Sequence, residues 1–353
     1  MVRTHPRHPP TGTTTDVYLG RIYSREVVSI RRTQGVVAST AGLSPFGHLG
    51  WGYRGRAEFL ARAAEYIADG LDQHQWVEYV GEGSREQLHA ELAAMPGITD
   101  RSDAGDIKVT PALEFYAAPA DSEVVDPDVA VATRVAAVEK AITDGYTGFR
   151  AVCDATAVTR TPAQRDAFAC FEFLIDQQMA VLPASALCAY DLDQLGEHAA
   201  GLICLHPFVG HGAPSFRLYA QPGTGFALSG DLNAGTNELF TVTLQRTWPL
   251  TTLDEPLVID AEELEFITHH QLLALDHRAR SDGRQVVLRT RQRLAALRVA
   301  FLEAHARARP VGGRIARWGH SRPDLRGCPR GACSCPAHAC GRERTTSPHC
   351  RGP

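Results

Sequence analysis

Hydrophobic positions recur along the chain with two different periods, and segments of the two kinds alternate. Helical spacing covers residues 59–70, 131–142 and 161–175. Gly70 and Gly145 are suited to end the first two helices, and Thr161 with Pro162 to begin the third. Short apolar runs typical of buried strands lie at residues 76–80, 107–113, 148–153, 181–188 and 202–205. This alternation predicts an α/β domain with a mostly parallel sheet.

A turn-rich segment at residues 211–223 precedes a second pattern, and we place a domain boundary near residue 212. The sequence beyond it predicts strands at residues 226–230, 256–267 and 285–288, and helices at residues 236–247, 268–281 and on to about 305. A chain of 353 residues exceeds the usual size of one domain. We therefore predict a second, smaller α/β domain over residues 215–305.

The two ends of the chain differ from the middle in composition and charge. Residues 1–42 are rich in Pro, Thr and Arg, residues 306–353 are rich in Arg, Gly, Pro and Cys, and both segments are predicted to be disordered. The formal charge is +4 over residues 1–40 and +8 over residues 306–353, so the overall −4 leaves −16 for the middle. Because nucleic acids attract cationic surfaces, this acidic middle predicts that nucleic acid is not a partner.

Several features predict a cytoplasmic protein that does not enter a membrane. No apolar run approaches the ~18 residues of a membrane span, and the N-terminus lacks the apolar stretch of a secretory signal. Cys153, Cys170, Cys188 and Cys204 lie singly in apolar sequence, where reduced thiols act as small core side chains. The cysteines of the tail allow zinc binding as an alternative to disorder, although no two of them have C-x-x-C spacing.

Motifs of nucleotide binding and of hydrolysis are missing from the sequence. The chain has neither the G-x-x-x-x-G-K-[ST] phosphate loop nor a G-x-G-x-x-G after a strand. It also lacks the G-x-S-x-G nucleophile elbow and the H-E-x-x-H zinc motif. The sequence therefore predicts a protein that is not an enzyme and that holds no cofactor.

Four segments of the first domain carry a family resemblance. They are HLGWGYRGRAEFLARAAEYIADGL, GFRAVCDATAV, FEFLIDQQM, and LCAYDLDQL followed by LHPFV. Together they resemble the MEDS domain, a sensory module of methanogen and methylotroph regulators, over residues 43–212. The resemblance implies a degenerate RecA-like α/β fold that lacks the phosphate loop and that senses a small organic, hydrocarbon-derived ligand.

The same resemblance implies a set of ligand-binding residues, most of them at predicted strand ends, where open α/β sheets gather ligands. The set is His48, Tyr53, Arg150, Asp154, Glu172, Cys188, Tyr190, Asp191 and His206.

Other interpretations of these residues stay open. Cys188 suits a buried core position, and His48 and His206 are equally suited to hydrogen bonding within the fold. Arg150 and Asp154 can instead form a structural ion pair. A set of His, Cys and carboxylate side chains also suits zinc or iron, although we predict no metal.

The second domain resembles the STAS domain of anti-sigma-factor antagonists. The resemblance lies in GFALSGDLNAGTNELF and PLVIDAEELEFITHHQLLALDHRARSDGRQVVL. It implies a partner surface at Asp231, Thr268, His269 and His270 that binds an anti-sigma factor or a sensor kinase. Many STAS domains carry a phosphorylated serine in this turn, but here His269 occupies that position, which removes the hydroxyl that serine phosphorylation requires.

Taken together, the sequence predicts a non-enzymatic bacterial signalling regulator in which a sensory domain controls a protein-binding domain. Two alternatives stay open. One is a metal-assisted hydrolase or residual nucleotide enzyme in residues 43–210 that uses His48, Asp154, Glu172 and His206. The other is a scaffold that has lost ligand binding.

Overall fold

The structure is a computed structural model that describes residues 14–18, 21–25, 32–43, 46–101, 107–119, 122–251 and 256–291. Its strands and helices follow in chain order. The strands are β1 (Thr14–Tyr18), β2 (Arg21–Arg25), β3 (Gly35–Val36), β4 (His48–Tyr53), β5 (Trp76–Gly81), β6 (Lys108–Pro111), β7 (Phe149–Asp154), β8 (Ala184–Asp191), β9 (Phe208–Val209), β10 (Phe216–Tyr219), β11 (Phe226–Leu232), β12 (Leu257–Ile267) and β13 (Val286–Thr290). The helices are α1 (Arg56–Asp72), α2 (Arg85–Ala93), α3 (Ala112–Phe115), α4 (Pro127–Thr143), α5 (Pro162–Met179), α6 (Leu192–Leu195), α7 (Ala200–Ile203), α8 (Asn237–Thr247) and α9 (His269–Ser281).

The larger sheet has the strand order β3-β9-β4-β8-β7-β5-β6, and all of its neighbouring strands are parallel. Parallel neighbours require crossover connections, which the intervening helices provide. The predicted α/β class with a parallel sheet is confirmed. The predicted strands at residues 76–80 and 148–153 correspond to β5 and β7.

Successive residues of the central strands face opposite sides of this sheet. Val152 of β7 and Leu187 of β8 join a core cluster with Phe59 and Tyr66 of α1. Their chain neighbours Cys153 and Cys188 belong to the core cluster on the other side, which includes residues of α4 and α5. This alternation follows from the strand period of two, and it places α5 directly over the centre of the sheet.

The second sheet has the order β10-β11-β12-β13-β1-β2. Its strands β11, β12 and β13 are parallel and are connected through α8 and α9, whereas β10 pairs antiparallel with β11. The prediction of a second, smaller α/β unit beyond residue 212 agrees with this sheet. The exact domain limits stay a prediction.

One apolar core extends from the larger sheet to the second one. Phe168 of α5 and Phe240 of α8 are fully buried in the same cluster. At the rim of this contact, Arg246 forms an ion pair with Asp166, with Nη2 and Oδ1 at 2.7 Å. The helix α5 therefore contacts both the larger sheet and the helices of the second sheet.

The first 42 residues, for which the sequence predicts disorder, contain described strands. β1 pairs antiparallel with β13 and with β2, and β3 pairs with β9. Pairing with distant strands supplies the hydrogen bonds that this polar segment cannot make alone. The predicted disordered tail at residues 306–353 and the predicted helix reaching residue 305 lie outside the described residues.

The prediction of a strand at residues 202–205 is wrong. Leu202 and Ile203 end the short helix α7, and Cys204 and Leu205 follow it as buried residues. A short apolar run that is buried on every side has no detectable period, so the sequence alone cannot distinguish helix from strand there. Within the described part of the chain, we find no helix with both the length and the apolar character of a membrane span.

Candidate functional site

Four side chains meet beneath α5 and form what we call the central cluster: His48, Glu172, Cys188 and His206. They come from the first position of β4, from α5, from the middle of β8 and from the turn after α7. Each is at most 3% exposed, and one potential ligand atom of each lies within 4.8 Å of those of the others. Polar side chains this deep in a core require mutual hydrogen bonds or a bound ion.

Local sequence signals explain how α5 contributes to the cluster. Thr161 caps the helix by accepting the Gln164 backbone N–H, and Pro162 occupies its first turn. Glu172 and Asp176 are four residues apart and therefore lie on one face of the helix. Both side chains are fully buried, so this face is turned toward the sheet.

His48 is held between these two carboxylates. Its Nδ1 lies 3.0 Å from Asp176 Oδ1, and its Nε2 lies 3.1 Å from Glu172 Oε2. Burial alone would lower the pKa of His48, but the hydrogen bonds to Asp176 and Glu172 outweigh burial and raise that pKa to about 9. These two carboxylates therefore favour the imidazolium form of His48 at neutral pH.

Glu172 is the central acceptor of the cluster. Tyr190 donates its hydroxyl to Glu172 Oε1 at 2.6 Å, and the Cys188 thiol lies 3.8 Å from Oε2. Burial alone would raise the pKa of Glu172, but the imidazolium forms of His206 and His48 lower it below its usual range. When His206 is neutral, His48 supplies this effect. Burial raises the pKa of the Cys188 thiol well above its usual range. These shifts favour the carboxylate form of Glu172 and the neutral thiol form of Cys188.

His206 has a defined tautomer. Its Nδ1 lies 3.1 Å from the Leu202 carbonyl and 3.2 Å from the Ile203 carbonyl. Since carbonyl oxygens only accept, we assign the proton of the neutral ring to Nδ1. Burial, together with the charge on His48, lowers the pKa of His206. The lone pair of Nε2 consequently points toward Glu172 Oε2, which lies 3.4 Å away.

Asp176 connects the central cluster with the second sheet. Its Oδ1 accepts from Arg32 Nη1 at 2.7 Å, and its Oδ2 accepts from the backbone N–H of Ala220 at 2.7 Å. Ala220 directly follows β10. Burial alone would raise the pKa of Asp176, but Arg32 and His48 lower it. One carboxylate thus bonds to His48 of the larger sheet and to the backbone N–H that follows β10 of the second sheet.

A small apolar cavity of about 40 Å³ adjoins the cluster between α4, α5 and the sheet. Its polar lining residues include His48, Arg134, Ser185 and Cys188. Its apolar walls include Phe115, Tyr116, Val138, Phe149, Ala151, Phe171, Ile175, Met179 and Ala184. Because a water needs ~10–15 Å³ measured in this way, the cavity has room for a molecule of about two to four non-hydrogen atoms.

Two predicted site residues, Tyr53 and Asp154, lie apart from the cluster at the carboxyl ends of β4 and β7. The Tyr53 hydroxyl donates to Asp154 Oδ2 at 2.9 Å, and Arg56 forms an ion pair with the same carboxylate. Arg56 also binds Glu91, which accepts from Tyr79 as well. We call these five residues the edge network. It occupies the position where open α/β sheets bind ligands.

Arg150 forms a separate buried contact near the start of β7. It is fully buried, pairs with Asp69 at 2.9 Å, and donates to the carbonyls of Tyr66 and Leu43 at 3.2 Å each. The alternative of an Arg150–Asp154 ion pair is wrong, because four residues along a strand span about 13 Å. Both residues instead pair with α1, Arg150 with Asp69 near its end and Asp154 with Arg56 at its start.

The remaining predicted site residues divide between two roles. Asp191 caps α6 by accepting the backbone N–H groups of Asp193 and Gln194, at 2.8 and 3.3 Å. Tyr190 is fully buried and bonds to the central cluster. Most site residues were expected at the carboxyl ends of strands, and this expectation is wrong for His48 and Cys188. His48 is the first residue of β4 and Cys188 lies in the middle of β8, where α5 covers them.

Two residues that sequence reasoning missed complete the surroundings of His48. Asp176 follows Glu172 by one helical turn, and this spacing was the available signal. Arg32, 6% exposed at its side chain, reaches Asp176 from a segment that the sequence assigned to a disordered extension. No local pattern marks such a contact between distant segments.

The predicted partner residues lie around the start of α9. Thr268 caps this helix by accepting the Gln271 backbone N–H, while His269 and His270 are exposed with ring centroids 3.9 Å apart. Asp231 lies near the end of β11. A depression of about 280 Å³ opens beside them between α8 and α9, and it is lined by Asn237, Thr241, His270, Gln271 and Ala274.

Residues 47–207 match the family model described as MEDS, the MEthanogen/methylotroph, DcmR Sensory domain. The matched range contains the whole central cluster, the edge network and the walls of the apolar cavity. This match supports the resemblance inferred for this part of the chain and indicates a sensory role for this range. No curated protein matches the chain. The STAS resemblance of residues 215–305 stays a prediction.

Proposed function

We propose that the chain is a non-enzymatic signalling regulator. In this proposal, the MEDS-like domain binds a small organic molecule, and binding changes how the second α/β unit engages a protein partner. The observation that carries the proposal is the position of Asp176. Its carboxylate bonds to His48 beside the cavity and to the Ala220 backbone N–H beside β10.

The cavity supports a ligand that is small and largely apolar. Its walls are mainly aromatic and aliphatic, and His48, Arg134, Ser185 and Cys188 offer polar contacts. Burial in such a cavity favours hydrocarbon-like groups through removal of apolar surface from water. A short alcohol, a halocarbon or a small acid fits this description. These polar lining residues then discriminate among molecules of similar size.

The coupling follows from the two bonds of Asp176. A ligand that moves His48 changes the hydrogen bond that Asp176 shares between the two sheets. Coupling requires that the ligand binds two conformations with different affinity. The buried contact between α5 and α8 provides a second route, because a shift of α5 must be accommodated by Phe240.

The second unit supports protein binding. Three parallel strands connected by α8 and α9, with an antiparallel strand at the edge, agree with the element order of the STAS resemblance. The depression beside α9 is bordered by the exposed His270. We propose that this face binds an anti-sigma factor or a sensor kinase.

Ligand binding is tested by thermal unfolding against a panel of small alcohols, halocarbons and acids. A compound at 100 times its dissociation constant adds about 2.7 kcal/mol to the free energy of unfolding. Ala151→Val narrows the cavity and should abolish the stabilisation, whereas Ala90→Val on the exposed face of α2 should retain it. If no compound stabilises the wild type, the scaffold alternative is favoured over sensing.

The coupling is tested by hydrogen exchange with an active compound from that panel. Binding should change amide protection in residues 216–232, and Asp176→Asn should reduce that change while leaving some ligand-induced stabilisation. The partner is tested by recovering an anti-sigma factor or kinase with the full-length chain, with and without the compound. Unchanged exchange in β10 and β11 together with unchanged recovery would contradict the coupling.

A further inference from the structure

The donor atoms of the central cluster all lie within 4.8 Å of one another, and the four separations that involve Glu172 or join Cys188 to His48 are close to those of a tetrahedral metal site. His48 Nε2 and His206 Nε2 lie 3.1 and 3.4 Å from Glu172 Oε2, and Cys188 Sγ lies 3.5 Å from His48 Nε2 and 3.8 Å from Glu172 Oε2. Zinc ligands at about 2.0–2.3 Å from the ion are about 3.3–3.7 Å apart in a tetrahedron. Small shifts of side chains bring all four atoms to these distances.

A second observation points independently to a ligand at this place. His206 is fully buried, and its Nε2 has no hydrogen-bond partner among the described residues. The carbonyls at Nδ1 hold the ring so that the Nε2 lone pair faces the carboxylate of Glu172, which is also an acceptor. Two acceptors facing each other in a dry core are unfavourable unless a proton or a cation lies between them.

The residues behind the donors match the outer shell of metal-bound histidines. Such histidines usually donate their second ring nitrogen to a carboxylate or to a backbone carbonyl. His48 Nδ1 lies 3.0 Å from Asp176 Oδ1, and His206 Nδ1 lies close to the carbonyls of Leu202 and Ile203. Both rings are thus oriented with Nε2 toward the centre of the cluster.

We propose that the central cluster is a zinc site whose ligands are His48 Nε2, His206 Nε2, Glu172 Oε2 and Cys188 Sγ. Imidazole, thiolate and carboxylate are all ligands that Zn²⁺ accepts. Two neutral imidazoles, one thiolate and one carboxylate balance the charge of the ion, and Arg32 balances Asp176 outside it. The core therefore stays electroneutral with the metal bound.

Four protein ligands from four segments make this a closed site, which is typical of structural zinc. It joins β4, α5, β8 and the turn after α7 at the centre of the sensory domain. The site goes beyond the sensing proposal and does not depend on it. A metal-free cluster would leave the apolar cavity able to bind a ligand, and a metal-bound cluster would not require one.

The first test is metal analysis and zinc X-ray absorption on the full-length protein. The tail cysteines could also bind zinc, so the test includes a full-length variant with Cys328, Cys333, Cys335, Cys340 and Cys350 changed to serine. This variant should retain one zinc per chain, with one sulfur ligand at about 2.3 Å and three nitrogen or oxygen ligands at about 2.0–2.2 Å. This measurement needs no substitution in the core.

The second test uses cobalt as a spectroscopic probe in the same tail variant. Co²⁺ should give tetrahedral visible bands and a thiolate charge-transfer band. Cys188→Ser should lose the charge-transfer band, whereas Cys170→Ser, on the same helix as Glu172 but outside the cluster, should keep it. Asp176→Asn should weaken the metal affinity about 10–100-fold, as expected for a residue that orients a ligand. Circular dichroism checks that each variant is folded.

Three results would each overturn the zinc site. The first is that the tail variant, folded, neither contains zinc nor retains added zinc. The second is an absorption spectrum without sulfur, or with several sulfurs per zinc. The third is that Cys188→Ser and Cys170→Ser, both folded, give the same cobalt spectrum.

Discussion

Gly50 of β4 lies directly against the ring of His206, and a Cβ atom on Gly50 would stand 2.7 Å from His206 Nδ1 and 3.0 Å from the Ile203 carbonyl. Because Gly50 has no side chain, the turn after α7 can bring the ring of His206 close to β4. The central cluster therefore depends on a residue that contributes no donor atom.

Gly50→Ala tests this dependence. The added methyl group must displace the ring of His206 or a backbone carbonyl, so we expect the free energy of unfolding to fall by about 1–3 kcal/mol. Gly201→Ala is the matched control, because its Cβ would meet only side-chain atoms of Arg246 and Leu239, at 3.3 and 3.7 Å. Urea unfolding of both variants gives the comparison. Equal stabilities for the two would show that His206 does not need the space.

Glu172→Gln tests the electrostatics of the cluster. The change removes the carboxylate that faces His48 and His206, and breaking a buried pair in this way costs about 3–5 kcal/mol. Glu197→Gln, at an exposed position, should change the free energy of unfolding by less than about 0.5 kcal/mol. Denaturant unfolding measures both. A stable Glu172→Gln variant would mean that the cluster is not charged as described.

Arg150→Met tests whether Arg150 stabilises the fold or belongs to the ligand site. The loss of hydrogen bonds to the carbonyls of Leu43 and Tyr66 should lower the free energy of unfolding by about 1–3 kcal/mol. The stabilisation produced by a bound compound should stay as in the wild type, because Arg150 does not line the cavity. Arg54→Met, at a side chain that is 67% exposed, is the control. Selective loss of ligand binding in Arg150→Met would instead place this residue in the ligand site.

The edge network should make the free energy of unfolding vary with pH in the acid range. Burial alone would raise the pKa of Glu91, but hydrogen bonds from Arg56 and Tyr79 lower it below its ordinary 4.5. A carboxyl with a lowered pKa in the folded state stabilises the fold above pH 4.5 and loses this contribution as the pH falls through the lowered value. Glu91→Gln should therefore be less stable than the wild type above that pH.

The difference in unfolding free energy between the wild type and Glu91→Gln should shrink as the pH is lowered, and denaturant unfolding across the acid range measures it. Glu139→Gln, at an exposed position on α4, controls for the loss of a surface carboxylate. A difference that does not vary with pH would contradict the linkage.

Substitutions of Thr268 test whether its side chain caps α9. Thr268→Ala removes the side-chain oxygen that accepts the Gln271 backbone N–H and should lower the free energy of unfolding by about 1 kcal/mol. Thr268→Ser keeps that oxygen and should stay near the wild type. If both variants have equal stability, the cap is not formed in solution. Partner recovery with the two variants then shows whether the cap also positions the proposed binding face.

Much of the fold could be predicted from the sequence, because the signals are local. The helix α5 was found from Thr161, Pro162 and the apolar spacing that follows them. The helix α9 was predicted over residues 268–281, directly after the strand at residues 256–267, and in the structure Thr268 caps it. The strand order and the pairing of β1 with β13 were not predictable, since backbone hydrogen bonds between distant segments leave no period in either segment.

The sequence by itself also determined most of the candidate site: His48, Glu172, Cys188, Tyr190 and His206 were singled out by family resemblance. Only the tertiary structure decided which residues meet. It separated Tyr53 and Asp154 into the edge network, placed Arg150 with Asp69, and added Asp176 and Arg32. The physical reason is that hydrogen bonds and ion coordination act over about 2–4 Å. Separation along the chain carries no information on distances of that size between segments that only packing brings together.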